Sequence, residues 1–173
     1  MVYCIRGLPG IIQLVQAKFN IVANQSAGIL LFRKKDQHIE FFLVHPGGPF
    51  WKKKDLGAWT IPKGEFTNDE QPLAAAKREF REETGVELSG TFVPLKPVKQ
   101  KAGKLIYAWA VEGNIDPLTI TCNLFYMEWP PKSGKRQEFP EVDKADWFKV
   151  YEAKQKINPA QVSFIEELEN MFP

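Results

Sequence analysis

The chain has 173 residues and a formal net charge of +2 at pH 7. This length predicts one domain with a sizeable core, and so small a positive charge argues against a protein dedicated to nucleic-acid binding. The two cysteines, Cys4 and Cys122, fit no disulfide framework or metal motif, so we expect a reduced, cytoplasmic protein. No apolar run reaches the length of a membrane span, so we expect no membrane partner.

The first 25 residues precede the first predicted strand. Their short apolar patch is interrupted by Gln13, Gln16 and Lys18, which makes the segment a poor signal peptide. We predict an N-terminal extension over residues 1–25, with no role assigned to it, and one folded domain over residues 26–173. An alternative is that residues 1–21 are an upstream extension and that the working protein begins near Val22.

Several segments have the composition of strands. Ala27–Arg33 predicts a buried strand, and Glu40–Val44 predicts its partner across a turn at Lys34–His38. A long loop follows at His45–Gly57, and Ala58–Pro62 is short and extended because Ile61 precedes a proline. Later strands are predicted near Thr91–Leu95, Lys104–Val111, Leu124–Trp129 and Ala145–Lys149, with an irregular segment at Pro130–Pro140.

Two segments predict long helices. The first covers Pro72–Thr84, since Pro72 suits a first helical turn and Gly85 is a typical stop. Its expected buried stripe is Leu73, Ala76 and Phe80. The second helix begins at Asn158-Pro159, and its expected apolar face consists of Val162, Ile165, Leu168 and Met171 or Phe172. Strands mixed with two long helices predict an α/β fold.

The first predicted helix carries three carboxylates on one side. Glu79 is three residues from Glu82 and four from Glu83, so the three side chains share a helical face. Like charges at this spacing destabilise an isolated helix, and a hard cation such as Mg²⁺ would neutralise them. The alternative is a solvated acidic face with Arg78 and Arg81 as intrahelical partners.

The segment around these carboxylates matches a family signature. From Gly64 to Val86 it reads Gly, five residues, Glu70, seven residues, Arg78-Glu79, an apolar residue, one residue, Glu82-Glu83, one residue, Gly85 and an apolar residue. In this pattern the chain resembles the Nudix hydrolases. The resemblance implies an α/β/α sandwich with a mixed β-sheet. It also implies metal-dependent hydrolysis of a diphosphate linkage in a nucleotide, with Mg²⁺, or Mn²⁺ in its place, as the cofactor.

The resemblance also implies roles for individual residues. Glu79, Glu82 and Glu83 would be metal ligands, with the Lys63 carbonyl as a further ligand, and Glu79 or Glu82 would also act on the attacking water. Gly64 would let the backbone approach metal and phosphate. A downstream carboxylate is expected as well: Glu141 is preferred and Glu138 is the rival. Glu70 and Arg78 would support the site structurally.

The substrate is implied by a second likeness. The segments SAGILLFR, IEFFLVH and GAWTIPKGE are similar in order and character to the start of asymmetrical diadenosine tetraphosphate hydrolases. This favours a dinucleoside polyphosphate or a nucleoside triphosphate. The expected substrate-binding residues are Gly64, Lys63, Lys54, Trp59 and Tyr126, the lysines for phosphate charge and the aromatic residues for a base.

Other functions on the same scaffold stay open. One is a module that senses a nucleotide without turnover, and another is an RNA 5′-end pyrophosphohydrolase, for which only the KSGKR and KKK loops provide basic charge. An isomerase is disfavoured because Cys122 has no histidine nearby in the sequence. The expected partner is a small-molecule nucleotide, with no dedicated nucleic-acid partner, and the expected oligomeric state is monomer or homodimer.

Overall fold

The computed structural model describes residues 25–101 and 103–172. The extension predicted for residues 1–25 therefore lies, apart from Gln25, outside the described residues, and it stays a prediction. The strands of the described residues are β1 (Gln25–Lys35), β2 (His38–Pro46), β3 (Lys63–Glu65), β4 (Val93–Lys99), β5 (Leu105–Glu112), β6 (Leu124–Glu128), β7 (Arg136–Pro140) and β8 (Val142–Lys149). The α-helices are α1 (Pro72–Thr84), α2 (Val150–Lys156) and α3 (Val162–Met171).

Six strands form one mixed sheet, and two form a separate hairpin. The order β4-β5-β1-β2-β8 runs across the main sheet, and β3 pairs with the first part of β1. β1 and β5 are parallel, whereas β1–β2, β2–β8 and β4–β5 are antiparallel. β6 and β7 pair with each other in the hairpin. The parallel pair in an otherwise antiparallel sheet confirms the predicted mixed sheet.

Helices cover both faces of the main sheet, and each face has its own core. Alternate residues of β1 divide between them: Ile29 and Leu31 pack with Phe80 of α1, while Leu30 packs with Phe164 of α3. Because both faces are buried, β1 and β2 are apolar almost without interruption instead of alternating with polar residues. The α/β/α sandwich expected from the sequence is confirmed.

The first two strands form the hairpin that the sequence predicts, although both are longer than expected. Their turn places Asp36 and Gln37 at positive φ, +48° and +64°. Two left-handed residues in succession give a turn whose twist matches that of the flanking strands. The pairing of Phe32 with Phe41 then sets the register in which both strands enter the core.

Helix α1 has the predicted bounds, but one residue of its buried stripe was wrong. Gly85 ends the helix in the left-handed conformation, and its N–H donates to the Arg81 carbonyl. The residues that α1 buries include Ala75, Ala76 and Phe80, whereas Leu73 is only half-buried. Because Ala75 and Ala76 are fully buried, Leu73 lies towards the edge of the contact between α1 and the sheet.

Two predictions for the second half of the chain were wrong. The strand predicted near Thr91–Leu95 begins later, at Val93, and continues to Lys99 although it contains two prolines; β4 tolerates them because it lies at the edge of the sheet. The segment predicted as irregular, Pro130–Pro140, contains β7. The charges of KSGKRQE conceal this strand, because both strands of the hairpin are largely exposed.

The helices on the face of the sheet opposite α1 were only partly predicted. The short helix α2 was missed, and the final helix begins after a 3₁₀ turn, Pro159–Gln161. Helix α3 buries Ile165 and Leu168 as expected, together with Phe164, while Met171 is exposed. None of the helices among the described residues is long and apolar enough to cross a membrane.

A buried glutamine joins this helical layer to the segment that leads into β3. Gln161 Oε1 accepts hydrogen bonds from the Ile61 N–H at 3.1 Å and from Thr60 Oγ1 at 3.0 Å. We expect Gln161→Ala to lower the free energy of unfolding by about 1–3 kcal/mol, since it leaves a buried N–H without a partner. Urea unfolding measures this loss. The matched control is Gln71→Ala, at an exposed position with no capping hydrogen bond, and an equal effect of both substitutions would contradict the role of Gln161.

Candidate active site

Five glutamates line one cavity of about 500 Å³ beside α1: Glu65 of β3 and the four that the sequence prediction names. Glu79, Glu82 and Glu83 come from α1, and Glu141 comes from the junction between β7 and β8. We call this space the acidic cavity. Its other walls are Ser26, Pro46, Gly47, Trp51, Lys63, Gly64, Lys104 and Phe125. The structure therefore brings together, in one place, the three helix carboxylates and the preferred downstream carboxylate of the sequence prediction.

Arg78 organises the carboxylates on the loop side of α1. Its guanidinium binds Glu70 through two hydrogen bonds of 2.9 Å, from Nε and Nη2. Nη1 donates to Glu79 at 2.6 Å and to Glu82 at 3.1 Å. Hydrogen bonding to Arg78 lowers the pKa of Glu70, and the same bonds raise the pKa of Arg78. A planar, permanently charged donor with several N–H groups suits this task, because it fixes the directions of three carboxylates at once.

Gly64 is required by close approach to Glu79. A Cβ atom at Gly64 would lie 1.8 Å from Glu79 Oε2 and 2.1 Å from its carboxyl carbon. The Glu79 carboxylate is thus packed directly over the backbone of β3. Burial raises the pKa of Glu79, and the ion pair with Arg78 opposes that rise. A carboxylate held in this way gains most from an additional cation.

Glu83 is the most deeply buried carboxylate of the cavity. Its Oε2 accepts a hydrogen bond of 3.1 Å from the Lys63 backbone N–H. Burial raises the pKa of Glu83 to about 8, against the opposing effects of the Lys63 charge and N–H. Burial also lowers the pKa of the Lys63 ammonium, which Glu83 partly offsets. These shifts mean that the charges present do not fully compensate for the water removed from the cavity.

Glu141 reaches the cavity from a fixed stretch of backbone. Its N–H donates to the Asn123 carbonyl at 3.0 Å, and its carbonyl accepts from the Gly47 N–H at 2.9 Å. Burial, and then the charge of Glu82, raise the pKa of Glu141. The rival, Glu138, is exposed on β7 opposite Tyr126 and does not line the cavity. Position therefore favours Glu141 of the two.

The expected substrate-binding side chains are only partly at the cavity. Lys63 and Gly64 line it. Trp59 does not: it is 6% exposed, its Nε1–H donates to Asp55, and its ring packs against Phe148. Burial in the core leaves Trp59 no face for a substrate. Tyr126 is exposed on the hairpin outside the cavity, and Lys54 lines the neighbouring pocket.

Several cavity residues, among them Ser26, Lys104 and Phe125, were not identified as site residues from the sequence. Ser26 is 1% exposed, and its Oγ has no hydrogen-bond partner among the described residues. Trp51, Lys104 and Phe125 complete the walls. Only the position of Ser26, just before a predicted strand, offered a signal, whereas Lys104 and Phe125 reach the cavity through the way distant strands meet.

The donor atoms fit a divalent cation, although the carboxylates are not yet gathered around one point. Among the described residues, no three His, Cys, Asp or Glu side chains are arranged as a metal site in this structure. However, Glu79, Glu82 and Glu83 each use one oxygen for the bonds above, and the other oxygen has no hydrogen-bond partner within residues 25–101 and 103–172. With the unpartnered Ser26 hydroxyl, the cavity offers the oxygen ligands that Mg²⁺ prefers.

Comparison with known proteins identifies the family. The model of the NUDIX domain matches residues 23–168, well over half of the chain. The chain belongs to the Nudix hydrolase family. The Nudix signature observed in the sequence therefore lies within a Nudix fold.

Individual relatives agree with this assignment. The chain is 30% identical over 103 residues to the asymmetrical bis(5′-nucleosyl)-tetraphosphatase of Rattus norvegicus. That alignment covers 53% of the chain and 66% of the relative, just under two thirds of its length. Among solved structures, a C. elegans Ap4A hydrolase binary complex has a TM-score of 0.60 at 21% identity, covering 84% of this chain and 96% of that one. The NUDIX domain of Shewanella oneidensis NrtR, complexed with ADP ribose, has a TM-score of 0.62 at 16% identity. This match covers 96% of this chain and 100% of that one. These two structures support the fold.

Proposed function

We propose that this Nudix protein hydrolyses a diphosphate linkage in a nucleotide with the help of Mg²⁺ or Mn²⁺. The observation that carries the proposal is the acidic cavity, where Glu79, Glu82, Glu83 and Glu141 meet beside a glycine backbone. Five carboxylates with only two lysines among the lining residues bind a phosphate poorly by themselves, because like charges repel. A divalent cation held by these carboxylates would reverse this balance and make the cavity suitable for a polyphosphate.

The proposed metal ligands are Glu79, Glu82, Glu83 and Glu141, with the Lys63 carbonyl as a further candidate. When bound, the cation would supply charge neutralisation and alignment of phosphate oxygens. The chain's own contribution is positioning. Arg78 orients Glu79 and Glu82, and the Lys63 N–H holds Glu83.

The catalytic carboxylate is one of two. Glu79 and Glu82 both line the acidic cavity, and either can accept a proton from the attacking water. Glu79 is fixed more tightly, since Arg78 binds it at 2.6 Å and Gly64 packs against it. Glu82 is more exposed, with 32% of its side chain accessible, and is open to solvent water. The proposed proton acceptors are therefore Glu79 and Glu82.

Gly64→Ala tests this positioning. We expect hydrolysis to slow by about 100-fold, because the new methyl group displaces the Glu79 carboxylate by an ångström or more. Thermal stability should change little, since the obstructing atoms are the end of a side chain and Gly64 needs no positive φ. Initial rates and thermal unfolding together measure the effect.

Gly28→Ala is the contrasting variant on the paired strand. Its Cβ would lie 2.6 Å from the Pro62 carbonyl oxygen and 2.5 Å from Lys63 Cβ, so part of the obstruction is backbone. We expect this variant to lose stability as well as activity. A normal rate for Gly64→Ala would show that the Glu79 carboxylate is not required in its present place.

The proposed substrates are dinucleoside polyphosphates or nucleoside triphosphates. The similarity to the rat tetraphosphatase supports the first of these. The matching experiment incubates the protein and Mg²⁺ with diadenosine polyphosphates, canonical and oxidised nucleoside triphosphates, ADP-ribose and dinucleotide cofactors, followed by chromatography of the products. Selective cleavage is the expected result, and the products identify the bond attacked. Tight binding without cleavage of any compound would contradict the proposal and favour a nucleotide-sensing module.

The remaining parts of the proposal concern the state of the protein. We propose a cytoplasmic monomer or homodimer whose partner is the nucleotide. Light scattering after size-exclusion chromatography measures the oligomeric state, and a larger assembly would contradict this part.

A further inference from the structure

A second pocket of about 720 Å³ lies beside the acidic cavity. It is bounded by the loop after β2 and by the β6–β7 hairpin. Aromatic and basic side chains dominate its walls: Phe50, Trp129, Phe139, Lys52, Lys53 and Lys54. We call it the aromatic pocket. Phe50 is 56% exposed, and its ring meets Trp129 edge to face, with 5.3 Å between the ring centroids.

The aromatic pocket and the acidic cavity share one narrow boundary. Gly47 and Glu141 line the acidic cavity, while their chain neighbours Gly48 and Pro140 line the aromatic pocket. At this boundary the backbones are tightly packed, since a Cβ at Gly47 would lie 1.9 Å from the Pro140 carbonyl oxygen. The acidic cavity and the aromatic pocket are therefore separated by only a few residues of backbone.

Lys54 lies close to the boundary between the acidic cavity and the aromatic pocket. The Lys54 ammonium lies 4.4 Å from the centroid of the Trp51 ring. Trp51 lines the acidic cavity, whereas Lys54 lines the aromatic pocket with Lys52 and Lys53. The loop that connects Trp51 to the aromatic pocket thus carries three lysines, which suits a chain of phosphates leading away from the carboxylates.

A buried histidine fixes the walls of the aromatic pocket. His45 is 1% exposed, and its Nε2 donates to the Lys54 carbonyl at 2.9 Å. Its Nδ1 lies 2.6 Å from the Asp143 carboxylate on β8. The loop that carries Lys52, Lys53 and Lys54 is therefore anchored to the sheet before any ligand binds. Pockets of this kind, mainly apolar with a few polar groups and largely preformed, are typical small-molecule sites.

We propose that the aromatic pocket binds the base of a nucleoside polyphosphate whose phosphates reach the acidic cavity. Phe50 and Trp129 provide apolar ring surface for the base, and Lys52, Lys53 and Lys54 contact the phosphate chain between the two spaces. The inference rests on the proposed function, and it assigns the loop after β2 and the hairpin to substrate selection. Nucleotides that carry several phosphates are the class selected.

Phe50→Ala separates base binding from phosphate binding. The test uses the Glu82→Gln background with Mg²⁺, so that turnover does not consume the ligand, and isothermal titration with diadenosine tetraphosphate and with inorganic tripolyphosphate. Loss of one stacking ring should weaken diadenosine tetraphosphate binding by about 5- to 150-fold. Tripolyphosphate, which has no base, should bind with unchanged affinity.

Two further variants complete the design. Lys52→Ala/Lys53→Ala should weaken the binding of both ligands. Leu118→Ala removes an apolar side chain that is 93% exposed and lies outside the aromatic pocket, so both affinities should be unchanged. Because Phe50 is itself exposed, its truncation leaves no buried cavity, and thermal unfolding checks that the fold is intact.

The inference is overturned if Phe50→Ala binds diadenosine tetraphosphate as tightly as its parent, if tripolyphosphate binding falls equally, or if diadenosine tetraphosphate does not bind at all. Failure of the proposed function is a different result, namely no cleavage of any nucleotide by the unmodified protein. In that case a base-specific loss in Phe50→Ala would still support the aromatic pocket as a nucleotide site.

Discussion

Glu82→Gln is expected to slow nucleotide hydrolysis by about a thousandfold or more. The substitution keeps the size of the side chain but removes its charge, and losses of this order follow when charge stabilisation of a phosphoryl transition state is removed. The fold should survive. Arg78 keeps its bonds to Glu70 and Glu79, and repulsion between Glu82 and its neighbour Glu83 is relieved. Initial rates at saturating Mg²⁺ measure the effect, with thermal unfolding as the check on folding.

The same substitution just beyond α1 serves as the matched control. Glu87 is 77% exposed, pairs with Arg81 at 3.0 Å and does not line the acidic cavity. Glu87→Gln should therefore keep the full rate, because exposed ion pairs contribute little. A near-normal rate for Glu82→Gln would remove Glu82 from the proposed metal ligands. An equal loss in Glu87→Gln would attribute the effect to net charge and not to the cavity.

Phe80→Ala is expected to destabilise the protein by about 3–5 kcal/mol. Phe80 is 1% exposed and lies between α1 and the sheet, with its ring centroid 6.3 Å from that of Phe42. Truncation removes a large apolar side chain and leaves a cavity that the rigid sheet cannot close. Urea unfolding monitored by tryptophan fluorescence measures the loss.

Leu118→Ala is the control for this loss, because Leu118 is almost fully exposed. It should change the free energy of unfolding by no more than about 0.5 kcal/mol. Unchanged stability in Phe80→Ala would contradict the packing of α1 on the sheet. Since α1 also carries Glu79, Glu82 and Glu83, it would equally contradict the position of the acidic cavity.

Local signals explain why the centre of this site was predictable from the sequence. Pro72 and Gly85 define the ends of α1 through backbone chemistry that does not depend on the rest of the fold. Helical geometry then places Glu79, Glu82 and Glu83 on one side. The strands β1 and β2 were equally clear, because their continuous apolar composition reflects burial on both faces.

The wrong predictions concern positions where tertiary contacts, which the local sequence does not reveal, decide the structure. Whether Leu73 or Ala75 faces the sheet depends on how α1 is rotated about its axis, and the helical period alone does not determine this rotation. Trp59 has the appearance of a base-stacking residue until the contact with Phe148 places it in the core. The strand β7 carries too many charges to be recognised, since it forms an exposed hairpin and not a part of the main sheet.

The substrate side of the site was the least predictable part for the same reason. Phe125 and Trp51 line the acidic cavity from a hairpin and a loop that are far apart in sequence. Gly47 and Pro140 meet only when these two elements pack together. The sequence predicts a long loop at His45–Gly57 and an irregular segment at Pro130–Pro140, but the mutual position of the two arises from the fold.

The dependence of hydrolysis on a divalent cation tests the central claim most directly. The protein would be treated with EDTA, dialysed and assayed on diadenosine tetraphosphate, first without added metal and then across a Mg²⁺ titration, with Glu82→Gln in parallel. We expect no cleavage without metal, restoration by Mg²⁺ in the unmodified protein, and a much lower rate in the variant at every Mg²⁺ concentration. Cleavage that persists without metal, or that Glu82→Gln supports equally well, would contradict the assignment of the acidic cavity as a metal-dependent hydrolytic site.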